Sequence, residues 1–311
     1  MNIIVIGEPC VDVIHKANEE IIFSYGGILY SLISLSVLSN DGDSIIPLMN
    51  LGEDEYSNII NILSKYPNIK THGINKVKHP TRKVNLYYNF YNSDKSARVE
   101  KSTEPTYTLE YGYCENFLNS ADAILINMIS GVDITVETLK KIRKNFGGFI
   151  HIDIHNIVMQ TLEDGRRLHK PIDNWYEWCT NADTIQMNEF EIATLTKSKL
   201  NEYQISEEIL FNRNYNVKGL IITRGKQGVT GFTKTEKTYG KEKFYDLDRV
   251  EIAAVENSHF VDSTGCGDVF ASAFTIDYLK NGDFIKSMHF ANRIASFNST
   301  LEGIEELYKL R

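Results

Sequence analysis

Short, mostly apolar segments recur along the chain and alternate with stretches whose apolar residues are three or four positions apart. An apolar run without polar alternation predicts a strand buried on both faces, as in a parallel sheet. Such strands are predicted at residues 3–6, 44–49, 123–127, 149–154, 184–187 and 219–223. Helical spacing lies between several of them, for example at residues 135–145 and 202–212. This alternation predicts an α/β fold, a doubly wound, mostly parallel sheet with helices on both faces.

Two regions depart from the alternation. Within residues 83–101, apolar positions such as Val84 and Leu86 alternate with polar ones, which predicts a half-exposed antiparallel strand. Residues 92–94, Asn-Ser-Asp, predict a turn that leads into residues 97–101. Residues 11–25 follow the first strand but are short and polar. These segments predict a small sheet projecting from the core, with a surface hairpin of no further role as the alternative.

Composition and charge narrow the class of protein. The 311 residues are 42% hydrophobic and 24% charged, which is ordinary for a globular chain. In the absence of repeats or long linkers, we predict one domain over residues 1–311. With 33 basic and 41 acidic residues the net charge is −8, which disfavours nucleic-acid binding. No apolar run approaches the roughly 20 residues that span a bilayer, so no membrane partner is expected.

The cysteines and the first residues indicate a compartment. The four cysteines, Cys10, Cys114, Cys179 and Cys266, form no CxxC pair and do not cluster with histidines. This spacing favours a reducing environment over a disulfide framework or a zinc site. The opening MNIIVIGEPC lacks a basic n-region and predicts a strand instead of a signal peptide. The expected location is therefore cytoplasmic.

A glycine-containing loop precedes a helical pattern at residues 262–268, which read DSTGCGD. The first backbone N–H groups of a helix have no partner within the helix and attract anions, phosphate above all. Asp268 lies in the first turn, where a carboxylate could accept a proton from an attacking hydroxyl. The loop therefore predicts phosphoryl transfer, although glycine and aspartate also occur as ordinary helix caps.

This string resembles the DTxGAGD signature of the ribokinase/PfkB carbohydrate kinase family. Cys266 stands where the family usually has alanine, and Ser263 where threonine is usual. The resemblance implies a ribokinase-like fold with a small β-sheet lid, here formed by about residues 11–25 and 80–105. It also implies that Asp268 is the base and that the N–H groups of Gly265, Cys266 and Gly267 stabilise the transferring phosphoryl group.

Further motifs in the family's order extend the resemblance to the phosphoryl donor, which it implies to be ATP with Mg²⁺. The donor residues that it implies are Asn188 and Glu191 of an NxxE motif, Thr223, Gly225 and Gly228 of a T-x-G-x-x-G segment, and Asn292 beside the adenine. Glu191 would help place the metal through water, and dependence on a monovalent cation stays open. Taken alone, these residues are also compatible with a helix start, a hairpin turn and a packed helix face.

The resemblance also implies an acceptor site. Its implied residues are Asp12, the pair Gly26-Gly27, Ser31 where the family commonly has asparagine, and Asp153 of a D-x-N segment. His155 replaces the asparagine of that last segment. The departure at Ser31 leaves the identity of the sugar open.

The whole pattern predicts an ATP-dependent kinase acting on a primary hydroxyl of a sugar or small polyol. A nucleoside kinase of the same family and a non-catalytic binding protein on a kinase fold are the alternatives. A dinucleotide oxidoreductase is disfavoured because the segment after the first strand, GEPC, lacks GxGxxG. Exposed lid strands can pair between subunits, so a homodimer is one expectation.

Overall fold

The computed structural model describes residues 1–15, 20–88, 98–212, 214–239, 242–255 and 259–311. The strands are β1 (Asn2–Ile6), β2 (Pro9–His15), β3 (Ile21–Gly27), β4 (Ser44–Gly52), β5 (Ile74–Val77), β6 (Arg82–Tyr88), β7 (Arg98–Ser102), β8 (Ala123–Asn127), β9 (Phe149–Asp153), β10 (Met159–Thr161), β11 (Arg167–His169), β12 (Thr184–Asn188), β13 (Gly219–Thr223), β14 (Val229–Tyr239) and β15 (Glu242–Ile252). The helices are α1 (Ile28–Leu38), α2 (Tyr56–Leu63), α3 (Tyr111–Leu118), α4 (Val136–Asn145), α5 (Trp175–Thr180), α6 (Glu189–Thr194), α7 (Glu202–Leu210), α8 (Cys266–Asn281) and α9 (Phe284–Asn298). Over the described ranges, no helix combines the length and the apolar character that a membrane crossing requires.

The main sheet has nine strands in the order β15-β14-β13-β12-β9-β8-β1-β4-β5. Strands from β13 through β5 pair in parallel, and β14 and β15 add an antiparallel edge. All the strands predicted from apolar runs lie in the parallel part, as β1, β4, β8, β9, β12 and β13. The sequence pattern did not predict β14 and β15, because much of their length is polar and exposed.

Both faces of the sheet are covered, as the apolar runs predict. Ile3 and Val5 of β1 belong to a core with Leu32 of α1 and Phe270 of α8. Their neighbours Ile4 and Ile6 point to the other face and join a second core that includes residues of α4 and α7. The doubly wound α/β prediction is thus confirmed.

A second, four-stranded sheet has the order β3-β2-β6-β7, with β2 parallel to β6 and the outer pairs antiparallel. Residues 11–25 lie mostly in β2 and β3, and residues 83–101 in β6 and β7. The predicted small sheet is therefore confirmed. The turn predicted at residues 92–94 lies outside the described residues.

The carboxyl ends of the parallel strands position the site. Strands β8, β9, β12 and β13 run in the same direction and end at Asn127, Asp153, Asn188 and Thr223. In doubly wound sheets, ligands bind in the crevice beyond these ends.

Candidate active site

The loop at residues 262–268 feeds directly into α8, as its sequence predicts. Gly265 caps the helix with a φ of 73°, in the left-handed region that glycine adopts without strain. A Cβ at this position would lie 2.2 Å from the ring of Tyr30, so the loop and the ring pack too closely for any side chain. The Cys266 N–H donates to the Ser263 carbonyl at 3.1 Å, which engages one of the predicted anion donors within the turn itself.

Asp268 is held in the first turn of α8 by Asn127 at the end of β8. The Asn127 amide nitrogen donates to Oδ1 of Asp268 at 2.5 Å and to Oγ of Ser31 at 3.0 Å. Burial raises the pKa of Asp268, while the charge of His155 and the Asn127 hydrogen bond act in the opposite direction. The sequence analysis missed Asn127, although a polar residue at the end of an apolar strand was a signal that could have found it.

Ser31 lies behind Asn127 and is completely buried. Its hydroxyl accepts from Asn127, and its carbonyl accepts from the Ser272 hydroxyl of α8 at 3.2 Å. Ser31 therefore acts on Asp268 through Asn127, and the structure does not bring its side chain to an open surface.

Asp12 and the two glycines meet where β2 pairs with β3. Cys10 lies opposite Gly26 in this pairing, and a Cβ at Gly26 would lie 2.3 Å from Oδ2 of Asp12. Gly27 has a φ of 63°, and a Cβ there would lie 2.4 Å from the Glu8 carbonyl. The glycine pair thus allows the Asp12 carboxylate and the start of α1 to approach closely.

Tyr30 connects this region with the loop at residues 262–268. Burial, followed by the charges of Asp12, Asp262 and Asp268, raises the pKa of Tyr30 above its ordinary value. These charges act on the same buried ring that packs against Gly265. The carboxylates of Asp12 and Asp268 therefore both lie near this ring.

Gln186 of β12 ties Asp153 to the same site. Its side-chain nitrogen donates to Oδ2 of Asp153 and to the carbonyl of Gly267, each at 3.0 Å. Burial and then the charge of Glu191 raise the pKa of Asp153 well above the ordinary value of an aspartate. Asp153 is nearly buried and lies beneath the first turn of α8.

Asn188 and Glu191 form a reciprocal cap at the start of α6. The Asn188 side-chain oxygen accepts from the Glu191 N–H at 2.9 Å, while the Glu191 carboxylate accepts from the backbone and side-chain nitrogens of Asn188 at 2.6 Å each. Asn188 and Glu191 of the NxxE motif therefore form a capping box. This is the helix start that the sequence analysis gave as the alternative. Because Nδ1 of His155 lies 3.5 Å from Oε1 of Glu191, the same carboxylate also faces the cluster around Asp268.

The described residues contain no group of three or more His, Cys, Asp or Glu side chains that could hold a metal by themselves. Magnesium retains several waters and commonly takes one or two protein carboxylates together with phosphate oxygens. A single nearly buried carboxylate, Glu191, whose charge acts on Asp268, fits that donor set.

The T-x-G-x-x-G segment forms the tight turn between β13 and β14. Thr223 ends β13, Gly225 has a φ of 50° and Gly228 a φ of 95°. The Arg224 side chain pairs with Glu202 at 2.5 Å and donates to Thr230 at 2.8 Å, so it neither points to solvent nor extends freely toward a phosphate.

Asn292 of α9 is engaged with the segment after β15. Its side-chain nitrogen donates to the Ala253 carbonyl at 2.8 Å. It also lines a groove between that segment and α9, together with Val255, Phe290 and Arg293. Asn292 thus lies on one wall of the groove, and its side-chain amide donates to the opposite wall.

The Cys266 side chain packs against α9. Its sulfur lies 3.4 Å from the Ala295 carbonyl and 3.4 Å from the Asn298 side-chain nitrogen, and burial raises its pKa to about 11. We expect Cys266→Ala to retain turnover within about three-fold, because the loop acts through backbone groups. Steady-state turnover of the two proteins checks this, and a collapse of activity in a folded variant would reveal a role for the thiol.

The chain is similar to known proteins along much of its length. The sequence profile of the pfkB family carbohydrate kinases matches residues 50–307. The ribokinase of Arabidopsis thaliana is 25% identical over 134 residues, which make up 43% of this chain and 32% of that relative. The aligned part thus spans about a third of the relative's length.

Solved structures share the fold over nearly the whole chain. A pyrophosphate-dependent kinase in the ribokinase family, solved as a sulfate complex, has a TM-score of 0.72 at 16% identity and covers 97% of this chain and 96% of its own. The Thermotoga maritima ribokinase has a TM-score of 0.70 at 19% identity, covering 99% and 98%. A putative ribokinase II from E. coli, in complex with ATP and Mg²⁺, has a TM-score of 0.69 at 19% identity, covering 99% and 98%. At these identities the likeness concerns the fold alone.

Proposed function

The chain belongs to the pfkB family of carbohydrate kinases, and we propose that it transfers the γ-phosphoryl group of ATP to a primary hydroxyl of a sugar or related small polyol. Kinases of this family transfer phosphate to sugar hydroxyls. One observation carries the proposal for this chain: Asp268 is oriented by Asn127 in the first turn of α8, directly beside the N–H groups of a helix start, which have no partner within the helix. A base next to an anion site is the minimum that this reaction needs.

The acceptor site is assigned to the region between β2, β3 and α8. Asp12 would accept hydrogen bonds from sugar hydroxyls, and the Gly26-Gly27 backbone lets the sugar lie close to the start of α1. Asp268 then accepts the proton of the attacking hydroxyl as its oxygen bonds to phosphorus. The bond from phosphorus to the leaving oxygen breaks, and its electron pair departs with ADP. Ser31 contributes by fixing Asn127, which orients Asp268.

The donor site is assigned to the other side of the same loop. The N–H groups of Gly265, Cys266 and Gly267 would stabilise the transferring group, with the Cys266 donor first released from Ser263. The side of the cleft that receives ATP would be formed by Asn188, Glu191, Thr223, Gly225, Gly228 and Asn292. Magnesium, held near Asn188 and Glu191 through water, would neutralise phosphate charge when bound.

The small sheet is assigned the role of a lid over the acceptor. Its strand β2 carries Asp12, and its strand β6 pairs with β2 beside that residue. Closing such a sheet over the sugar would exclude water and limit hydrolysis of ATP. The outer edges of the sheet, β3 and β7, are the surfaces through which a homodimer would form.

A panel of acceptors tests the proposal. Purified protein is incubated with Mg-ATP and separate sugars, polyols and nucleosides, and release of ADP is measured. Acceptor-dependent ADP release with a sugar or polyol supports the proposal, and release only with nucleosides supports the nucleoside-kinase alternative. Pyrophosphate is run as a parallel donor, since one structural relative uses it. Absence of turnover with either donor, despite binding of ATP, would favour a non-catalytic binding protein.

Asp12→Asn is expected to raise the KM for the acceptor about ten-fold or more, because a hydrogen bond to a charged group is worth more than one to a neutral amide. The turnover number at saturating acceptor should change little. Steady-state kinetics at varied acceptor concentration separates the two parameters. A lower turnover number with an unchanged KM would show that Asp12 acts in the chemical step instead of in acceptor binding.

A further inference from the structure

We propose that His155 is a catalytic residue of this chain, donating a hydrogen bond from Nε2 to the phosphoryl group during transfer. This inference rests on the proposed function and deepens it by assigning a contact to the transferred group. His155 follows β9 at the carboxyl end of the sheet, where the family's D-x-N segment would place an asparagine. The proposal stands on the backbone, on the orientation of the ring and on the groups that surround it.

The backbone of His155 is strained. Its φ is 38°, and among the described residues it alone, apart from glycines, has a positive φ. Such a conformation is strained for an L-residue and persists only where the surroundings impose it. Here the Ile154 N–H donates to the Gln186 carbonyl at 2.9 Å, and the Asn156 N–H donates to the Met128 carbonyl at 3.1 Å. The strained turn is therefore held by backbone hydrogen bonds on both sides.

The ring is oriented through one nitrogen and leaves the other available. Nδ1 lies 3.5 Å from Oε1 of Glu191, whose carboxylate is itself fixed by Asn188. Within the described part of the chain, Nε2 has no hydrogen-bond partner, and the side chain is 39% exposed although its neighbours Asp153 and Glu191 are nearly buried. A donor that is oriented through one nitrogen and open at the other is suited to bind an incoming anion.

The groups around His155 are the carboxylates of Asp153, Glu191 and Asp268. The Glu191 carboxylate lies 3.5 Å from Nδ1, and the charges of Asp153 and Asp268 also act on the ring. A phosphoryl donor brings further negative charge toward the same carboxylates, and an N–H donor among them would offset part of it. Arg224, the cationic side chain of the T-x-G-x-x-G segment, is already paired with Glu202.

The proposed contact does not change which bonds form and break during phosphoryl transfer. The acceptor oxygen bonds to phosphorus, its proton passes to Asp268, and ADP leaves with the electron pair of the broken bond. His155 donates from Nε2 to an oxygen of the phosphoryl group as negative charge redistributes in the transition state. Its effect is therefore expected mainly on turnover and on recognition of the γ-phosphoryl group.

Nucleotide binding provides the first test. Binding of Mg-AMP-PNP and of Mg-ADP is measured by titration calorimetry for the wild type, His155→Asn and the control His72→Asn, a substitution of an exposed histidine in the turn Thr71–Gly73. Asparagine tolerates a positive φ and preserves the turn. We expect His155→Asn to weaken AMP-PNP about ten-fold and to leave ADP unchanged, because only AMP-PNP carries the γ-phosphoryl group. Equal losses for both nucleotides, or no loss for either, would overturn the proposal.

The first test also separates this inference from the assignment of ATP as donor. If the wild type binds neither nucleotide, the assignment of ATP as the phosphoryl donor is wrong. The same pair of titrations with pyrophosphate and inorganic phosphate then decides the role of His155. A His155→Asn variant that binds pyrophosphate as tightly as the wild type does would exclude the contact.

Kinetics provide the second test, with the acceptor that the panel identifies. We expect His155→Asn and His155→Gln to lower kcat about 100-fold, as loss of a donor to developing charge does, with the acceptor KM within about three-fold of wild type. Thermal unfolding midpoints verify that both variants are folded. A raised acceptor KM with unchanged kcat would show that His155 binds the acceptor and would overturn the proposal.

Discussion

Asp268→Asn is expected to lower turnover by about 100- to 10,000-fold, because the variant can no longer accept the proton of the attacking hydroxyl. Nucleotide binding should survive, since the N–H groups at the start of α8 belong to the backbone. The fold should survive as well, because the amide oxygen of the new side chain can accept from Asn127 as Oδ1 does at 2.5 Å in the native protein.

The measurement compares acceptor-dependent ADP release and the affinity for Mg-ADP in the wild type and the variant. Asp277→Asn is a matched control on the same helix, where Asp277 accepts from Asn281 and Ser287 away from the loop at residues 262–268. The control should keep turnover close to wild type. Turnover of Asp268→Asn near the wild-type value would exclude Asp268 as the base.

The pH dependence follows from the same carboxylate. Burial raises the pKa of Asp268, so its ionised form is lost at a higher pH than for an exposed aspartate. Turnover should therefore rise with pH as Asp268 ionises and fall on acidification through its pKa. The residual activity of Asp268→Asn should not show this fall in turnover on acidification.

Gly228→Ala is expected to destabilise the protein by about 3 kcal/mol or more and to weaken ATP binding. A Cβ at Gly228 would lie 2.1 Å from the Ile252 carbonyl oxygen and 2.5 Å from the Ala254 nitrogen. Both are backbone atoms, which cannot move aside as the end of a flexible side chain can. Displacing this segment would also disturb the Ala253 carbonyl, to which Asn292 donates.

Gly225→Ala in the same turn is the matched control. Gly225 also has a positive φ, of 50°, but a Cβ there meets nothing within 4 Å. It should cost only the backbone strain, about 1–2 kcal/mol. Urea unfolding gives both free energies of unfolding, and titration calorimetry gives the affinity for Mg-ATP. Equal destabilisation by the two substitutions would show that the contact with residues 252–254 does not constrain the turn.

Much of the fold was predictable from local patterns. The apolar runs that became β1, β8 and β9 are buried on both faces, and burial of this kind leaves a signature in consecutive residues. Strands β14 and β15 were missed because their cross-strand pairing supports polar side chains that give no apolar run. The small sheet was predicted from alternation in residues 83–101, but its pairing of β2 with β6 joins segments about 70 residues apart.

The candidate site was predictable only in part. The loop at residues 262–268 and the glycines have local signatures, because a positive φ or a close approach demands glycine at one position. The sequence analysis placed Ser31 in the acceptor site, whereas the structure buries it behind Asn127. Arg224, within the T-x-G-x-x-G segment, pairs with Glu202 on a neighbouring helix. Neither outcome has a local signal, because each depends on a partner that is distant in the chain.

Residue order alone therefore sufficed to predict a parallel α/β sheet, a helix start built for an anion and a carboxylate beside it. Periodicity, capping and backbone strain act over a few residues, so they can be read along the chain. Only the tertiary structure brought Asn127 to Asp268, Gln186 to both Asp153 and Gly267, and Glu191 to His155. These contacts join strands and helices that are far apart in sequence. They exist because parallel strands place their carboxyl ends at one edge of the sheet.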